Sequence, residues 1–573
     1  MQPDLVIRGG TLADGDGGPL HEADVSIVGD RIWQVGKVPD AGRKEIDARG
    51  LLVTPGWVDI HTHYDGQVTW DSQVTPSSIH GTTTVLMGNC GVGFAPVKPE
   101  DQARLIRLME GVEDIPGAAL HAGLDWSWRS FGEYLDAIDS RPHDINIATQ
   151  IPHGAVRLFV MGERGARREP ATSLEIARMR AIVRDGVRQG ALGFSTTRTM
   201  VHLTADGEPT PTLGAADAEM LAIADGLREA GAGVLQWVSD FTDLDHEFGL
   251  LERLIETSGR PLSFSLVESE RAPDQWRALL ARLEAAAERG LPIKGQVQGR
   301  PVGLMIGLQG SVHPYVGRPA YEAISQRPLA ERVRIMRTPE VRAALLAEAP
   351  ATETFFASAI AGAYHKMFEL GDPPNYEPAP DDSVGAQALR KERDPEDLVF
   401  DLLTADGGKG FLFFPLLNYT GFDLENARGM MLSPHTVFGL SDGGAHVGAI
   451  CDVSVPTFML THWCRDRTRG ERLDPAFVIR SQTRDTAEAV GLLDRGRIAR
   501  GYRADLNVID YARLRLKPPH MVYDLPAGAR RLMQEAEGYV ATIVGGEVIY
   551  REGQPTGALP GQLIRGHQPR PWP

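Results

Sequence analysis

Val53-Thr-Pro-Gly-Trp-Val-Asp-Ile-His61-Thr-His63-Tyr-Asp65 opens on Pro-Gly, runs through a short apolar segment and ends in two histidines one residue apart. A short apolar run bounded by turn residues reads as a buried β-strand. Along a strand, residues i and i+2 face the same side, about 6–7 Å apart. His61 and His63 therefore point together, at the C-terminal end of their strand. Two neutral imidazoles so placed can grip one cation such as zinc.

Working outward, the middle of the chain alternates helical and apolar stretches. Helix-like segments at 174–188, 216–230, 245–258 and 273–289 alternate with apolar runs at 192–195, 233–238, 261–267 and 292–297. A strand–helix repeat of about 30 residues is the pattern of parallel βαβ units. Sustained over this length, it favours a (β/α)8 TIM-like barrel, in which the C-terminal strand ends form the active face. His61 and His63 would lie on that face. From about residue 300 to 394 the rhythm is lost, and proline-rich pieces flank helical ones such as 329–349. This reads as an insertion or lid over the active face.

Both chain ends read as β structure. Val25-Ser-Ile-Val28 and Ile32-Trp-Gln-Val35 flank Gly29-Asp30, and Tyr539–Val544 meets Glu547–Tyr550 across Gly545-Gly546. A glycine-containing pair between two alternating runs is a hairpin signal. Neither end alone has enough strands for independent stability. The reading is one small β domain made from 1–55 with 495–573, a barrel over 56–494, and the insertion at 300–394 within it.

The chain has 573 residues, with 59 basic against 76 acidic side chains and a net charge of −17. A hydrophobic content of 42% with 24% charged residues is that of an ordinary globular protein and excludes wholesale disorder. The acidic balance argues against nucleic acid or an anionic membrane surface as a partner. Three cysteines, Cys90, Cys451 and Cys464, make no disulfide framework and suit a reducing, cytoplasmic location. No basic segment followed by an apolar stretch opens the chain, and no apolar run approaches the length of a membrane helix. A homo-oligomer is compatible with the sequence, which carries no interface signature.

The Pro-Gly-Trp-Val-Asp-x-His-x-His segment, together with β ends and a βα middle, resembles the amidohydrolase superfamily. That resemblance implies a metal-dependent (β/α)8 hydrolase with a β-sandwich assembled from both chain ends. Within it, Gly81-Thr-Thr-Thr-Val-Leu-Met-Gly-Asn-Cys90-Gly91 resembles the N-acyl-D-amino-acid deacylase (D-aminoacylase) group, in which this cysteine ligates metal. Val437-Phe-Gly-Leu-Ser-Asp442-Gly-Gly-Ala-His446 resembles the last-strand segment, whose aspartate binds the metal and shuttles protons. The resemblance thus implies His61, His63, Cys90 and Asp442 as metal ligands and Asp442 as the catalytic acid–base. Gly193-Phe-Ser-Thr-Thr-Arg198 and Ile151-Pro-His153-Gly-Ala-Val-Arg157 resemble family segments near the substrate, making Arg198 and His153 substrate-binding candidates.

Two departures stand out. The family's two later-strand histidines fall where this chain has Gln236 and Ser265, which are weak zinc ligands. One zinc per chain is therefore expected over two, unless Asp240, His246 or Glu268 substitutes. His202, His435 and His446 lie close to the motifs, with no spacing argument that makes them ligands. The expected function is hydrolysis of a small-molecule, non-peptide C–N amide bond, most like N-acyl-D-amino-acid deacylation. The alternatives are a cyclic amide or imide hydrolase, or a non-catalytic binder on the same barrel.

Overall fold

Eight parallel strands form one curled sheet in a mixed α/β fold, described by a computed structural model over residues 2–351 and 355–572. In chain order they are Trp57–Asp59, Thr82–Met87, Asn146–Pro152, Gly193–Arg198, Val234–Ser239, Leu262–Ser265, Ile293–Val297 and Thr436–Phe438. Each pairs with the next in parallel, from Trp57 opposite Thr82 round to Val297 opposite Phe438. Beyond the last strand a parallel bridge joins Thr62 to Gly443, so the two ends of the sheet approach at their C-terminal side. The arrangement is consistent with a TIM-like barrel.

The helices between the strands follow the sequence pattern: Ser173–Gln189, Asp217–Ala230, Leu244–Ser258 and Gln275–Glu288. The first starts with a capping box, in which Thr172 accepts from the Glu175 N–H and the Glu175 carboxylate accepts from that of Thr172. Asp217–Ala230 ends at Gly231 with φ 72°, a left-handed cap that a side chain would strain. Their apolar faces, including Met179, Val183, Ile223, Leu227, Leu251 and Leu254, are buried. Each fully buried side chain of this size contributes about 1.5–3 kcal/mol.

Both ends of the chain enter one nine-stranded sheet. Leu5–Leu12 lies beside His21–Val28 and Leu52–Pro55, and Leu52–Pro55 pairs antiparallel with Leu506–Ile509. The hairpins expected at Gly29-Asp30 and Gly545-Gly546 are both present. The Trp57 indole donates to the Tyr539 hydroxyl at 3.2 Å and joins the first barrel strand to this sheet.

Between the seventh and eighth barrel strands, Val302–Ile306 pairs antiparallel with Leu412–Leu417, which also holds Phe368–Glu369. The excursion therefore runs past residue 394, where the strand–helix rhythm was expected to resume. It has its own apolar cluster, with Leu304, Ile306, Tyr315, Met336, Leu403 and Phe414 buried. The stretch 329–349 is two helices, Leu329–Met336 and Pro339–Ala347, because Pro339 cannot continue the first helix and instead starts the second.

His80 sets a pH dependence of stability. It is fully buried, with Nε2 2.8 Å from the Gln534 carbonyl and Nδ1 3.0 Å from the Thr457 hydroxyl. Burial, helped by the Arg300 charge, lowers its pKa to about 4. Below about pH 6.5 the unfolded chain takes up a proton at this site that the folded chain refuses. His80 therefore costs stability as pH falls from 6.5 towards 4, by up to roughly 3 kcal/mol. Urea melts across this range are expected to show that loss, with a shallower slope in His80→Gln.

Candidate metal centre

His61 and His63 follow the first barrel strand, and their main chain is laced to the loop after the eighth. The Asp442 N–H donates to the His61 carbonyl at 3.1 Å, and the His63 N–H donates to the Gly443 carbonyl at 2.7 Å. The close approach needs glycine: at Gly444, φ is 87° and an added Cβ would stand 2.8 Å from the Tyr64 ring. Cys90 follows the second strand with φ 54°, and Asp442 has φ 48°. Non-glycine residues in this region are uncommon and cost about 1–3 kcal/mol, a strain that collects at functional sites.

The ligand atoms of His61, His63 and Cys90 all lie within 4.8 Å of one another. His61 Nε2 is 3.2 Å from Cys90 Sγ and 3.3 Å from Asp442 Oδ1, and His63 Nε2 is 3.7 Å from the same oxygen. Bonds of about 2.0–2.3 Å around a tetrahedral zinc would set ligand atoms roughly 3.3–3.7 Å apart. The two edges from Asp442 Oδ1 fall in that range and the His61–Cys90 edge lies just below it, while the compact group itself is His61, His63 and Cys90, with Asp442 at its margin. His61 Nδ1 lies 2.7 Å from Gln296 Oε1, an acceptor, so Nδ1 carries the proton and the Nε2 lone pair faces Cys90 and Asp442. Both ring nitrogens of His63 are buried without a hydrogen-bond partner.

The electrostatics also ask for a cation. Burial, reinforced by the charges of Glu113, Asp442 and Asp65, drives the Cys90 thiol well above its ordinary value. Burial and the same two aspartates do likewise to Glu113. Burial opposes protonation of His61 and His63. Burial also works against ionisation of Asp442, but the surrounding His63, His61 and His446 rings outweigh it and keep this group a carboxylate. Neutral imidazoles, a thiol and a carboxylate gathered in the dark of the fold suit a divalent ion, which ionises a coordinating thiol. His61 and His63 are 1% exposed, whereas Asp442 is 19% exposed, so the site opens at the aspartate.

Arg198 ends the fourth barrel strand, with Nη1 4.0 Å from Asp217 Oδ1. Its guanidinium lies over the Trp237 ring at 5.6 Å, and Nη1 is buried with no hydrogen-bond partner. His153 is fully buried, and both its ring nitrogens are engaged, by Thr196 Oγ1 and Glu219 Oε1 at 2.8 Å each. Gln236 stands beside the centre, where its Oε1 accepts from the Cys90 N–H at 2.9 Å. Ser265 is half-buried at the end of the sixth strand.

The three substitute ligands considered from sequence are occupied elsewhere. Asp240 binds Thr199 and the Met200 N–H, His246 is exposed and paired with Asp217, and Glu268 binds Thr420 and Asn426. Sequence reasoning missed Gln296 and Glu113. It had no ground for choosing His202 and His446, both of which the structure brings in. His202 lies close enough for the His446 and His63 rings to oppose its protonation, which burial mainly suppresses, and its pKa falls to about 3.

A match to the model described as "Amidohydrolase family" spans residues 44–550, and the chain belongs to that family. It is similar to a D-aminoacylase of Alcaligenes xylosoxydans xylosoxydans, with 34% identity over 194 residues, covering 34% of this chain and 37% of that one. The aligned part is thus well under half of the curated relative's length. Among solved structures, the fold is similar to that of a D-aminoacylase, with TM-score 0.65 and 22% identity over 99% of this chain and 100% of that one. It is also similar to an N-acyl-D-glutamate deacylase from Bordetella bronchiseptica, solved with zinc and a phosphonate inhibitor. There the TM-score is 0.62, with 19% identity over 99% and 100% of the two chains.

Proposed function

We propose that this chain is a metal-dependent hydrolase of non-peptide C–N amide bonds in small molecules, most like an N-acyl-D-amino-acid deacylase. The observation that carries the reading is the buried group of His61, His63 and Cys90, whose ligand atoms all lie within 4.8 Å, with Asp442 Oδ1 3.3 Å from His61 Nε2 and 3.7 Å from His63 Nε2. His61, His63, Cys90 and Asp442 would hold one zinc. Such an ion, when bound, polarises an amide carbonyl and acidifies water.

The rest is the work of the chain. Gln296 holds the His61 ring in one tautomer, and the loop after the eighth strand holds its main chain. A carboxylate oxygen of Asp442, on the open side of the group, takes the proton of the attacking water and delivers it to the amine nitrogen as the C–N bond breaks. Water is consumed, and a carboxylate and an amine leave. Arg198, whose Nη1 makes no hydrogen bond and has only a 4.0 Å ion pair with Asp217, clamps the substrate carboxylate. His153, whose ring nitrogens are taken, acts by holding Thr196 at the end of the fourth strand. The terminal sheet, from 1–55 with 495–573, is the family's β-sandwich. The barrel occupies 56–494, and the insertion, read as 300–394 and carried on to the strand Leu412–Leu417, closes over its active face. The setting is cytoplasmic, in keeping with three free cysteines. Among the described residues no helix is long and apolar enough to cross a membrane.

The test is an assay of zinc-loaded protein on a panel of N-acyl-D-amino acids, their L forms and cyclic imides. Turnover of the linear D substrates is expected, and turnover of none of the three classes sinks the proposal. For a substrate that reacts, Arg198→Ala is expected to raise KM about 10–100-fold, the worth of a charged hydrogen bond, with kcat little changed. A loss confined to kcat would place Arg198 elsewhere.

A further inference from the structure

Glu113 is the last residue of the helix Gln102–Glu113 and is 1% exposed, yet it meets no guanidinium or ammonium group within ion-pair distance among the described residues. What it meets is two imidazoles: Oε1 lies 3.3 Å from His63 Nδ1, and Oε2 lies 3.6 Å from His446 Nε2. Oε1 has no hydrogen-bond partner at this separation, and neither has either ring nitrogen of His63. A buried carboxylate left this way is costly unless it serves a paired or metal-linked role.

The main chain holds it in register with the rest of the site. The Glu113 carbonyl accepts from the His446 N–H. The next residue, Asp114, accepts from the Gly448 N–H at 3.2 Å and from the Ser311 hydroxyl at 2.6 Å. Asp114, Asp442 and His446 all have positive φ, at 49°, 48° and 49°. The helix end and the loop carrying Asp442 are thus strained into one unit, with the Glu113 carboxylate aimed at the back of the His63 ring.

We propose that Glu113 is a positioning residue of the metal centre, taking the His63 Nδ1–H so that Nε2 faces the ion, and tying that ring to His446 and the Asp442 loop. The inference rests on the metal reading above. Histidine ligands commonly donate their second N–H to a carboxylate or carbonyl, which fixes the ring and raises its basicity. His61 already has such a partner in the neutral Gln296. Glu113 gives His63 a charged one. The barrel wall supplies Gln236 and Ser265 rather than further imidazoles, so the few ligands present depend more heavily on how they are held.

Zinc dissociation constants, measured by chelator competition on the full chain, test this for wild type and Glu113→Gln. The cobalt(II) spectra of the two proteins are compared alongside. Glu113→Gln keeps the shape and removes the charge. It is expected to weaken zinc about 10–100-fold. The cobalt ligand-field bands should shift while the thiolate band from Cys90 persists, and the apoprotein should melt as wild type does. Wild-type zinc affinity and an unchanged cobalt spectrum in Glu113→Gln overturn the proposal and leave the metal reading intact. Failure of wild type itself to bind zinc or cobalt overturns both. Should Glu113→Gln not fold, Glu113→Asp, which keeps the charge but draws it back, is expected to weaken zinc several-fold, and an unchanged affinity there is equally fatal.

Discussion

Asp442→Asn is expected to cut turnover of a reacting amide by about 10²–10⁴-fold, the usual contribution of a positioned acid–base group. The side chain keeps its size, and the Asp442 N–H bond to His61 is made by the main chain and survives. What is lost is a proton acceptor on the only partly exposed member of the group. The surrounding His63, His61 and His446 rings hold this group ionised against the effect of burial. Steady-state kinetics on the best panel substrate checks the prediction. A loss of less than about 10-fold would mean that another group moves the proton.

The second large effect is on stability. Glu219 is 1% exposed and accepts from Arg157 Nη1 at 2.7 Å and from His153 Nε2 at 2.8 Å. Arg157 is itself 2% exposed, its other contact being the Glu169 carbonyl at 2.9 Å. Removing one partner of a buried ion pair strands the other's charge, at a cost of about 3–5 kcal/mol. Glu219→Ala is therefore expected to lower the unfolding free energy by that amount in urea melts. The same network supports Thr196, whose Cα lies 3.0 Å from where a Cβ on Gly91 would be, so the turn bearing Cys90 rests on it. A change of less than about 1 kcal/mol would show that the cluster is not the anchor its burial implies.

What could be read in the sequence was local. The His-x-His spacing, the Gly-Asn-Cys-Gly turn and the Ser-Asp-Gly-Gly turn each sit at the end of one strand, and strand periodicity alone says which way they face. The four barrel helices between 173 and 288 were legible from their apolar periodicity and terminal glycines, to within a residue or two. Glu113 and Gln296 were not legible, because each reaches the site from a different layer. Glu113 comes from a helix after the second strand and Gln296 from the seventh strand, and no spacing along the chain marks either as a partner of His63 or His61. His446 was visible beside the Asp442 motif, but only the fold turns its ring towards Glu113. The pairing of Val302–Ile306 with Leu412–Leu417 was hidden for a similar reason, since strands so far apart in sequence find each other only through a shared apolar cluster. Departures from the family pattern proved informative. Gln236, where the resemblance led one to expect a histidine ligand, instead pins the Cys90 main chain.

His61, His63, Cys90 and Asp442 are proposed to hold a single divalent ion. Elemental analysis of wild type and His61→Ala, purified without added metal and again after zinc is returned and excess removed, tests it most directly. About one zinc per wild-type chain and a large loss in the variant are expected. No metal in wild type even after zinc is returned, or about two ions per chain, would contradict it.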